Sequence, residues 1–490
     1  MQLSASDFYT YHRPSLCPLR VYKRYRGELE APPGPYDEVI RRLGERHERA
    51  HLATLAAAVD LAGGTRPERE QRTKQEVARR TPAVYQAALR CAASIDGVEC
   101  EVIGDPDFLI AEPAGYLIRD SKISRRITDK DHPEILRQLE LYGWLFEQVL
   151  GKRPLRLEVH SGTGDLVEIP YDGGHRALDG LREILALKRT STEPYSPVGW
   201  SKCDGCPFHH HCWPRAEANR DVALVAGVDQ GLAVGLREIG VVTYDELLGR
   251  FDEAKLADFS RPRGKGKQRV GKKAASILRM ARALATQTEI LLEKPEIPAS
   301  ANYVMFDLEG LPPQMDELEK VYLWGLQVYG EQLGQFRAAT AEFGPGGDRE
   351  GWANFLREAG AILDQHGDLP FVHWHHYERV RLDMYVERYG DPSGVAARVR
   401  QNLLDLFPLA QRSVALPLPS YSLKVIEKYI GFKRTQDEYG GDWAMAKYIE
   451  ATETADEAQR TDVMDQILLY NREDLAATWA VLRWLMAKAE

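Results

Sequence analysis

The sequence predicts an α/β multidomain protein, two α/β zones joined by a small helical connector. Three observations predict it. The chain has 490 residues, more than one hydrophobic core usually organises, so two to four domains are expected. Its composition is globular, with 44% hydrophobic, 28% charged and 9% aromatic residues. Apolar strand-like runs ending in acidic residues occur twice, in GYLIRDSK at 115–122 and YVMFDLEG at 303–310, and the Pro-containing stretch EKPEIPASA at 293–301 lies between them. The expected domains are 1–215, 220–292 and 300–490. No apolar run approaches the ~20 residues of a membrane span. The amino-terminal MQLSASDFYTYHRPSL lacks the h-region of a secretory signal. A cytoplasmic protein with no membrane partner is therefore expected. The net charge of −9 argues mildly against a nucleic-acid binder, but binding depends on local patches, and acidic sites that hold divalent metals also lower the total.

In the first zone, GDPDFLIAEPAGYLIRDSKIS at 104–124 reads as a β-hairpin with a Pro-Ala-Gly turn. Asp107 on one strand faces Asp120 on the next, and Asp120 shares a face with Lys122 because strand side chains alternate. Carboxylates of this kind hold Mg²⁺ or Mn²⁺, and a nearby cation offsets charge that builds on a phosphate. Alone, Asp-x-Lys also fits an ordinary hairpin with solvated charges. Upstream, RRLGERHERAHL reads as a helix carrying His47, with His51 as an alternative. Downstream, ILRQLELYGWLFEQVL places Gln138 and Tyr142 on one helix face.

This ordered set resembles the RecB-like nucleases of the PD-(D/E)xK superfamily over about residues 1–215. The resemblance implies a restriction-endonuclease-like lobe. It implies that His47, Asp107 and Asp120 contact metal, that Lys122 is the catalytic lysine, and that Gln138 and Tyr142 position the substrate backbone. Asp105 is the neighbouring alternative to Asp107.

The zone ends in CDGCPFHHHC, which supplies Cys203, Cys206 and Cys212, while Cys17 stands near the amino terminus. A zinc site with Cys or His ligands, including one of His209–His211, and an iron–sulfur cluster held by four thiolates both fit. One cysteine before the nuclease motifs and three after them resembles the iron–sulfur RecB-like fold of the CRISPR-associated adaptation nucleases and AddB-type nucleases. The resemblance implies a structural [4Fe–4S] cluster, with zinc as the alternative. Cys91 and Cys100 read as small buried hydrophobes.

The connector, LVAGVDQGLAVGLREIGVVTYDELL followed by KQRVGKKAASILRMARAL, reads as two short helical pairs with glycine turns and resembles helix-hairpin-helix DNA-binding elements. Between its halves RPRGKGKQRVGKK carries seven basic and no acidic residues, a plausible phosphate contact or a solvated loop of a linker bundle.

The last zone opens with a strand that puts Asp307 and Glu309 on one face and closes with LLYNREDLAATWAVL, a helix with Tyr470 and Asp474 one turn apart. Together these look like the DEDD exonucleases of the ribonuclease H-like fold. PSYSLKVIEKYIGFKR at 419–434 resembles a segment of YprB-type ribonuclease H-like domains. The resemblance implies two metals held by Asp307, Glu309, Glu378 and Asp474, with Tyr470 orienting the attacking water. Asp405 is the other candidate for the fourth acid. The expected function is a metal-dependent nuclease, a single-stranded DNA exonuclease of DNA repair or processing with two candidate sites. RNA remains an alternative polymer. The rival expectation is a non-catalytic nucleic-acid-binding scaffold with a structural metal cluster. No Gly-x-x-x-x-Gly-Lys-Ser/Thr helicase signature is present, so unwinding would come from a helicase partner.

Overall fold

Ser4 ends the first strand and starts the first helix: its hydroxyl accepts from the Asp7 amide at 3.2 Å while Asp7 accepts from the Ser4 amide at 2.8 Å, a reciprocal cap that turns extended chain into helix. The computed structural model describes every residue except 14, 16, 196, 264, 265, 314, 316, 317, 437–439 and 490. Two compact units result. One comprises Met1–Pro32, Ile40–Val198 and Lys202–Trp213, the other Pro33–Val39, Gly199–Ser201 and Pro214–Glu490.

The elements of the first α/β zone are β1 (Gln2–Ser4), α1 (Ala5–Tyr11), α2 (Pro18–Tyr25), α3 (Pro35–Thr54), β2 (Ala58–Asp60), α4 (Arg66–Ala78), β3 (Ala83–Tyr85), β4 (Leu89–Ile95), β5 (Val98–Gly104), β6 (Phe108–Glu112), β7 (Gly115–Ser121), α5 (Pro133–Leu150), β8 (Leu157–His160), β9 (Leu166–Ile169) and α6 (His175–Arg189). Two sheets form, β2-β3-β6-β7-β8-β9 and β1-β5-β4. The expected hairpin is β6–β7, antiparallel with Phe108 opposite Arg119 and Glu112 opposite Gly115. β7 also pairs in parallel with β8, so it lies inside the sheet, and Tyr116 through Ser121 are all buried. A strand covered on both faces explains the apolar run Tyr-Leu-Ile there. Leu139, Leu141, Tyr142, Leu145 and Phe146 of α5 share the core with Leu109, Ile118, Leu157 and Val159 of the sheet. Cys91 lies on β4 and the buried Cys100 on β5. The cysteine-rich stretch holds α7 (Trp200–Cys203) and α8 (His209–Ala218).

In the connector, α9 (Gln230–Glu238), α10 (Tyr244–Arg250) and α11 (Glu253–Asp258) each start on a side-chain cap, Asp229, Thr243 and Asp252. Such caps satisfy amides that a helix start leaves free. The basic stretch is an antiparallel hairpin, β10 (Ser260–Arg263) with β11 (Gly266–Arg269), ahead of α12 (Lys273–Thr286). Gly264 and Lys265 of that stretch lie outside the described residues. The short β12 (Ile290–Leu291) pairs with β18 (Val414–Ala415), which ties the connector's end to the last zone.

That zone contains β13 (Asn302–Leu311), β14 (Lys320–Gly330), β15 (Arg337–Thr340), α13 (Gly344–His366), β16 (Phe371–His373), α14 (Tyr377–Tyr389), α15 (Val395–Gln401), β17 (Leu403–Asp405), α16 (Leu406–Ser413), α17 (Leu423–Tyr429), α18 (Gly441–Glu453) and α19 (Glu457–Ala489). Its five-stranded sheet runs β15-β14-β13-β16-β17. The first three strands are antiparallel; β16 and β17 join in parallel. Val304, Phe306 and Leu308 on one face of β13 pack in a core with Phe355, Leu382 and Tyr385 of α13 and α14. Period two then sends Asp307 and Glu309 to the opposite face. There α19 packs on β13, with Trp479 against the rings of Tyr303 and Tyr329. Among the described residues no helix is long and apolar enough to cross a membrane.

Candidate metal centres

Asp307 and Glu309 of β13 meet Asp474 of α19, with one carboxylate oxygen from each within 4.8 Å of the others. Among the described residues this is the one group of three or more His, Cys, Asp or Glu ligand atoms that converges so closely. Glu309 and Asp474 are 7% and 6% exposed. Burial, then the charges of Asp474, Glu309 and Glu378, pushes the Asp307 carboxyl well above its ordinary range, with Lys424 acting the other way. Burial and Asp474 do the same to Glu309. Three clustered hard oxygen donors under mutual repulsion are the donor set that suits Mg²⁺ or Mn²⁺.

The surrounding residues hold this geometry. Asn471 donates from Nδ2 to Asp307 Oδ2 at 2.7 Å, and its own carbonyl oxygen is buried without a hydrogen-bond partner. Asn471 fits because Gly325 stands opposite Asp307 in the β13–β14 register; a Cβ there would lie 1.7 Å from Asn471 Oδ1. Lys424 Nζ lies 3.3 Å from Asp474 Oδ1, and Arg434 donates to the same oxygen. Tyr470 is buried, its hydroxyl pushed well up by burial and then by Asp474, Glu309 and Asp307. Asn471 had no role in the sequence reading, and Lys424 and Arg434 entered it only within the segment PSYSLKVIEKYIGFKR, with no role of their own. The signal for Asn471 was its place one turn before Asp474 and next to Tyr470 on one helix.

The two candidates for the fourth acid sit side by side. Glu378, in the first turn of α14, is buried and its Oε2 lies 3.2 Å from His373 Nδ1. Burial raises its carboxyl against that bond. Its charge is felt by both Asp307 and Glu309. Asp405 caps α16, with Oδ1 accepting from the amides of Phe407 and His375 at 3.0 and 2.9 Å.

In the first zone, Asp120 is 1% exposed, so the reading of a hairpin with solvated charges fails for this residue. Its Oδ2 lies 2.5 Å from Lys122 Nζ. Asp107 accepts from the Ser121 amide at 2.8 Å. Burial and Asp120 push the Asp107 carboxyl well up. Burial alone would depress the Lys122 ammonium, but Asp120 and Asp107 together hold it above its usual range. Tyr142 is buried in the same field, its hydroxyl raised by burial and then by Asp120 and Asp107. Gln138 donates to the Ala5 carbonyl at 3.5 Å. The alternative Asp105 is held instead by Arg66 and Arg69 of α4, at 2.8 and 3.3 Å.

His47 stacks on His160 at 4.5 Å between ring centroids, and His51 stacks on His160 at 3.9 Å. Burial, then a neighbouring imidazole and Arg119, pushes both His51 and His160 down to about 4. The residue after His47 supplies a further acid: Glu48 accepts from Gln86 at 2.5 Å and adds to the field at Asp107. Two adjacent helix residues point in directions about 100° apart, so Glu48 and His47 face different neighbours, and Glu48 was not among the sequence candidates, His47 and His51.

Among the described residues the four cysteines do not bring three ligand atoms within 4.8 Å of one another, but Cys17 and Cys212 each feel the charge of other cysteines of the set. Burial raises the Cys17 thiol, with Cys206 adding to the shift. Burial, then Cys17, Cys206 and Cys203, pushes Cys212 up to about 12. A bound metal would favour the thiolate forms of Cys17 and Cys212 that burial disfavours.

Residues 304–486 match the family model described as RNase_H superfamily. The match covers the region that carries Asp307, Glu309, Glu378, Tyr470 and Asp474. No curated protein matches the chain significantly. A solved structure described as "Crystal structure of SSO0001" aligns at 14% identity over 36% of this chain and 96% of its own, with a TM-score of 0.20, a likeness too slight to carry an argument. Over residues 304–486, therefore, the chain is similar to the ribonuclease H superfamily.

Proposed function

We propose that the protein is a metal-dependent nuclease that hydrolyses phosphodiester bonds, with Asp307, Glu309 and Asp474 as the ligand core of one active centre. The observation that carries this reading is the convergence of three carboxylate oxygens within 4.8 Å in a segment that matches the ribonuclease H superfamily. Glu378 is the fourth acid. Bound divalent metal would polarise the phosphate and lower the pKa of attacking water. Tyr470 orients that water, and Asn471 keeps Asp307 turned toward its partners.

A second centre in the first zone is supported by the buried Asp120, its pairing with Lys122 and the nearby Asp107. Asp107 and Asp120 bind metal there with His47, Lys122 offsets transition-state charge, and Gln138 and Tyr142 line the substrate backbone. Cys17, Cys203, Cys206 and Cys212 hold a [4Fe–4S] cluster that closes a long loop of this RecB-like lobe; zinc is the alternative metal. The helices α9–α12 and the β10–β11 hairpin contact phosphates. The substrate is single-stranded DNA, degraded from an end in DNA repair or processing in the cytoplasm, with a helicase as partner.

The test is Mg²⁺- or Mn²⁺-dependent cleavage of end-labelled DNA and RNA strands by the full chain, purified anaerobically. Asp307→Ala should remove one activity and Lys122→Ala the other. Undiminished cleavage by the Lys122→Ala, Asp307→Ala double variant would overturn the assignment.

A further inference from the structure

Two cations stand on the carboxylates of the C-terminal centre, and they are held very differently. The Arg434 side chain is 8% exposed and donates from Nε and Nη2 to the two carboxylate oxygens of Glu427 at 2.8 and 2.7 Å; the Glu427 side chain is 3% exposed. The next residue is anchored as well, since the Thr435 amide donates to Glu473 of α19 at 2.6 Å. A buried forked pair of this kind keeps its partners, because separating them leaves an uncompensated charge. Lys424 touches Asp474 at one point, 3.3 Å away, its side chain is 34% exposed, and it rests over the Tyr470 ring at 4.5 Å. A lysine on a flexible four-carbon stem can change partners where a clamped guanidinium cannot.

The position of Lys424 is also wrong for helix stability. It lies in the first turn of α17, directly after Ser422 and Leu423, where the helix dipole disfavours a cation. The acids beside it offset that penalty: Asp474 is in contact, and Asp307 and Glu309 feel its charge. Once Asp474 holds a divalent cation, the ammonium faces like charge across one carboxylate.

We propose that Lys424 is a catalytic residue of this centre that leaves Asp474 for a phosphate oxygen of the substrate, while Arg434 is a positioning residue that stays on Asp474. The inference rests on the metal-dependent nuclease reading above. Hydrolysis remains water plus diester giving an alcohol and a monoester. Lys424 keeps its proton throughout and offsets charge that grows on the phosphate oxygens.

The experiment uses the full chain with Lys122→Ala throughout, so that only this centre cleaves, and measures Mn²⁺ binding by calorimetry beside single-turnover cleavage of an end-labelled strand. Lys424→Met should bind Mn²⁺ about two- to fivefold more tightly, the gain from removing a partly exposed ion pair that competes for Asp474. At saturating Mn²⁺ its cleavage rate should fall about 100-fold, with Lys424→Arg recovering most of the loss. Lys424→Gln serves as a second neutral variant if Lys424→Met fails to fold. Arg434→Met should weaken Mn²⁺ binding about tenfold or more. Cleavage by Lys424→Met at the parent rate, or weaker Mn²⁺ binding by both neutral variants, would overturn the role of Lys424 alone. A parent protein whose Mn²⁺ isotherm equals that of Asp307→Asn would sink the reading of this centre as a metal site and this inference together.

Discussion

Gly325 shows how one atom's absence shapes the C-terminal centre. It lies opposite Asp307, and the space where a Cβ would stand is taken by the Asn471 amide that bonds Asp307. Gly325→Ala should push Asn471 aside and cost about 1–3 kcal/mol of stability through overpacking, with cleavage reduced about tenfold or more; thermal unfolding and steady-state kinetics read the two effects separately. Asp307 supports a prediction of opposite sign for stability. Its folded pKa lies well above its ordinary value, chiefly through burial, and an unfolded Asp titrates near ~3.9. Between those values the folded state binds more protons, so the metal-free protein loses stability as pH rises through that window. Asp307→Asn stays neutral and should melt higher than wild type at pH 7.5 in EDTA while losing activity. The difference should vanish below about pH 4, and an equal or lower melting temperature at pH 7.5 would refute the account. Neither residue was fully legible beforehand. Asp307 announced itself by its spacing from Glu309, whereas the pairing of Gly325 with Asn471 joins residues far apart in the chain.

Among the elements, the β6–β7 hairpin, β13, α5 and α19 follow from patterns in the chain: period two in the strands, and one-turn spacings in the helices. The β10–β11 hairpin did not, because RPRGKGKQRVGKK has neither apolar alternation nor a hydrophobic face to set a register. It is exposed at Arg263 and Lys267. If this hairpin contacts phosphates, Arg263→Ala with Lys267→Ala should lower the salt slope of DNA binding, log K against log salt, by about 2, with affinity falling similarly for all sequences. An unchanged slope measured by fluorescence anisotropy would remove the hairpin from the interface.

For the whole molecule, two compact units predict two calorimetric transitions, since a chain of this kind departs from two-state unfolding. Cys17→Ser should lower one transition and leave the other in place, because Cys17, Cys203, Cys206 and Cys212 all belong to the first unit. Loss of a structural metal site commonly unfolds the domain it holds. Metal analysis of the wild-type protein distinguishes iron with inorganic sulfide from zinc. A Cys17→Ser protein with an unaltered thermogram and metal content would exclude the four-cysteine site.

By itself the sequence determined the acidic strand ends and the amphipathic helices, because each is written in residues a few positions apart. It also located Asp307, Glu309 and Asp474, since a strand and a helix present their side chains with known periods. Only the tertiary structure decided that these three carboxylates converge, that Asp120 is buried against Lys122, that Glu48 takes a hydrogen bond from Gln86, and that Lys424 and Arg434 share one oxygen of Asp474. The physical reason is that burial and electrostatic fields depend on which faces pack together, and packing brings together residues that local periodicity cannot relate.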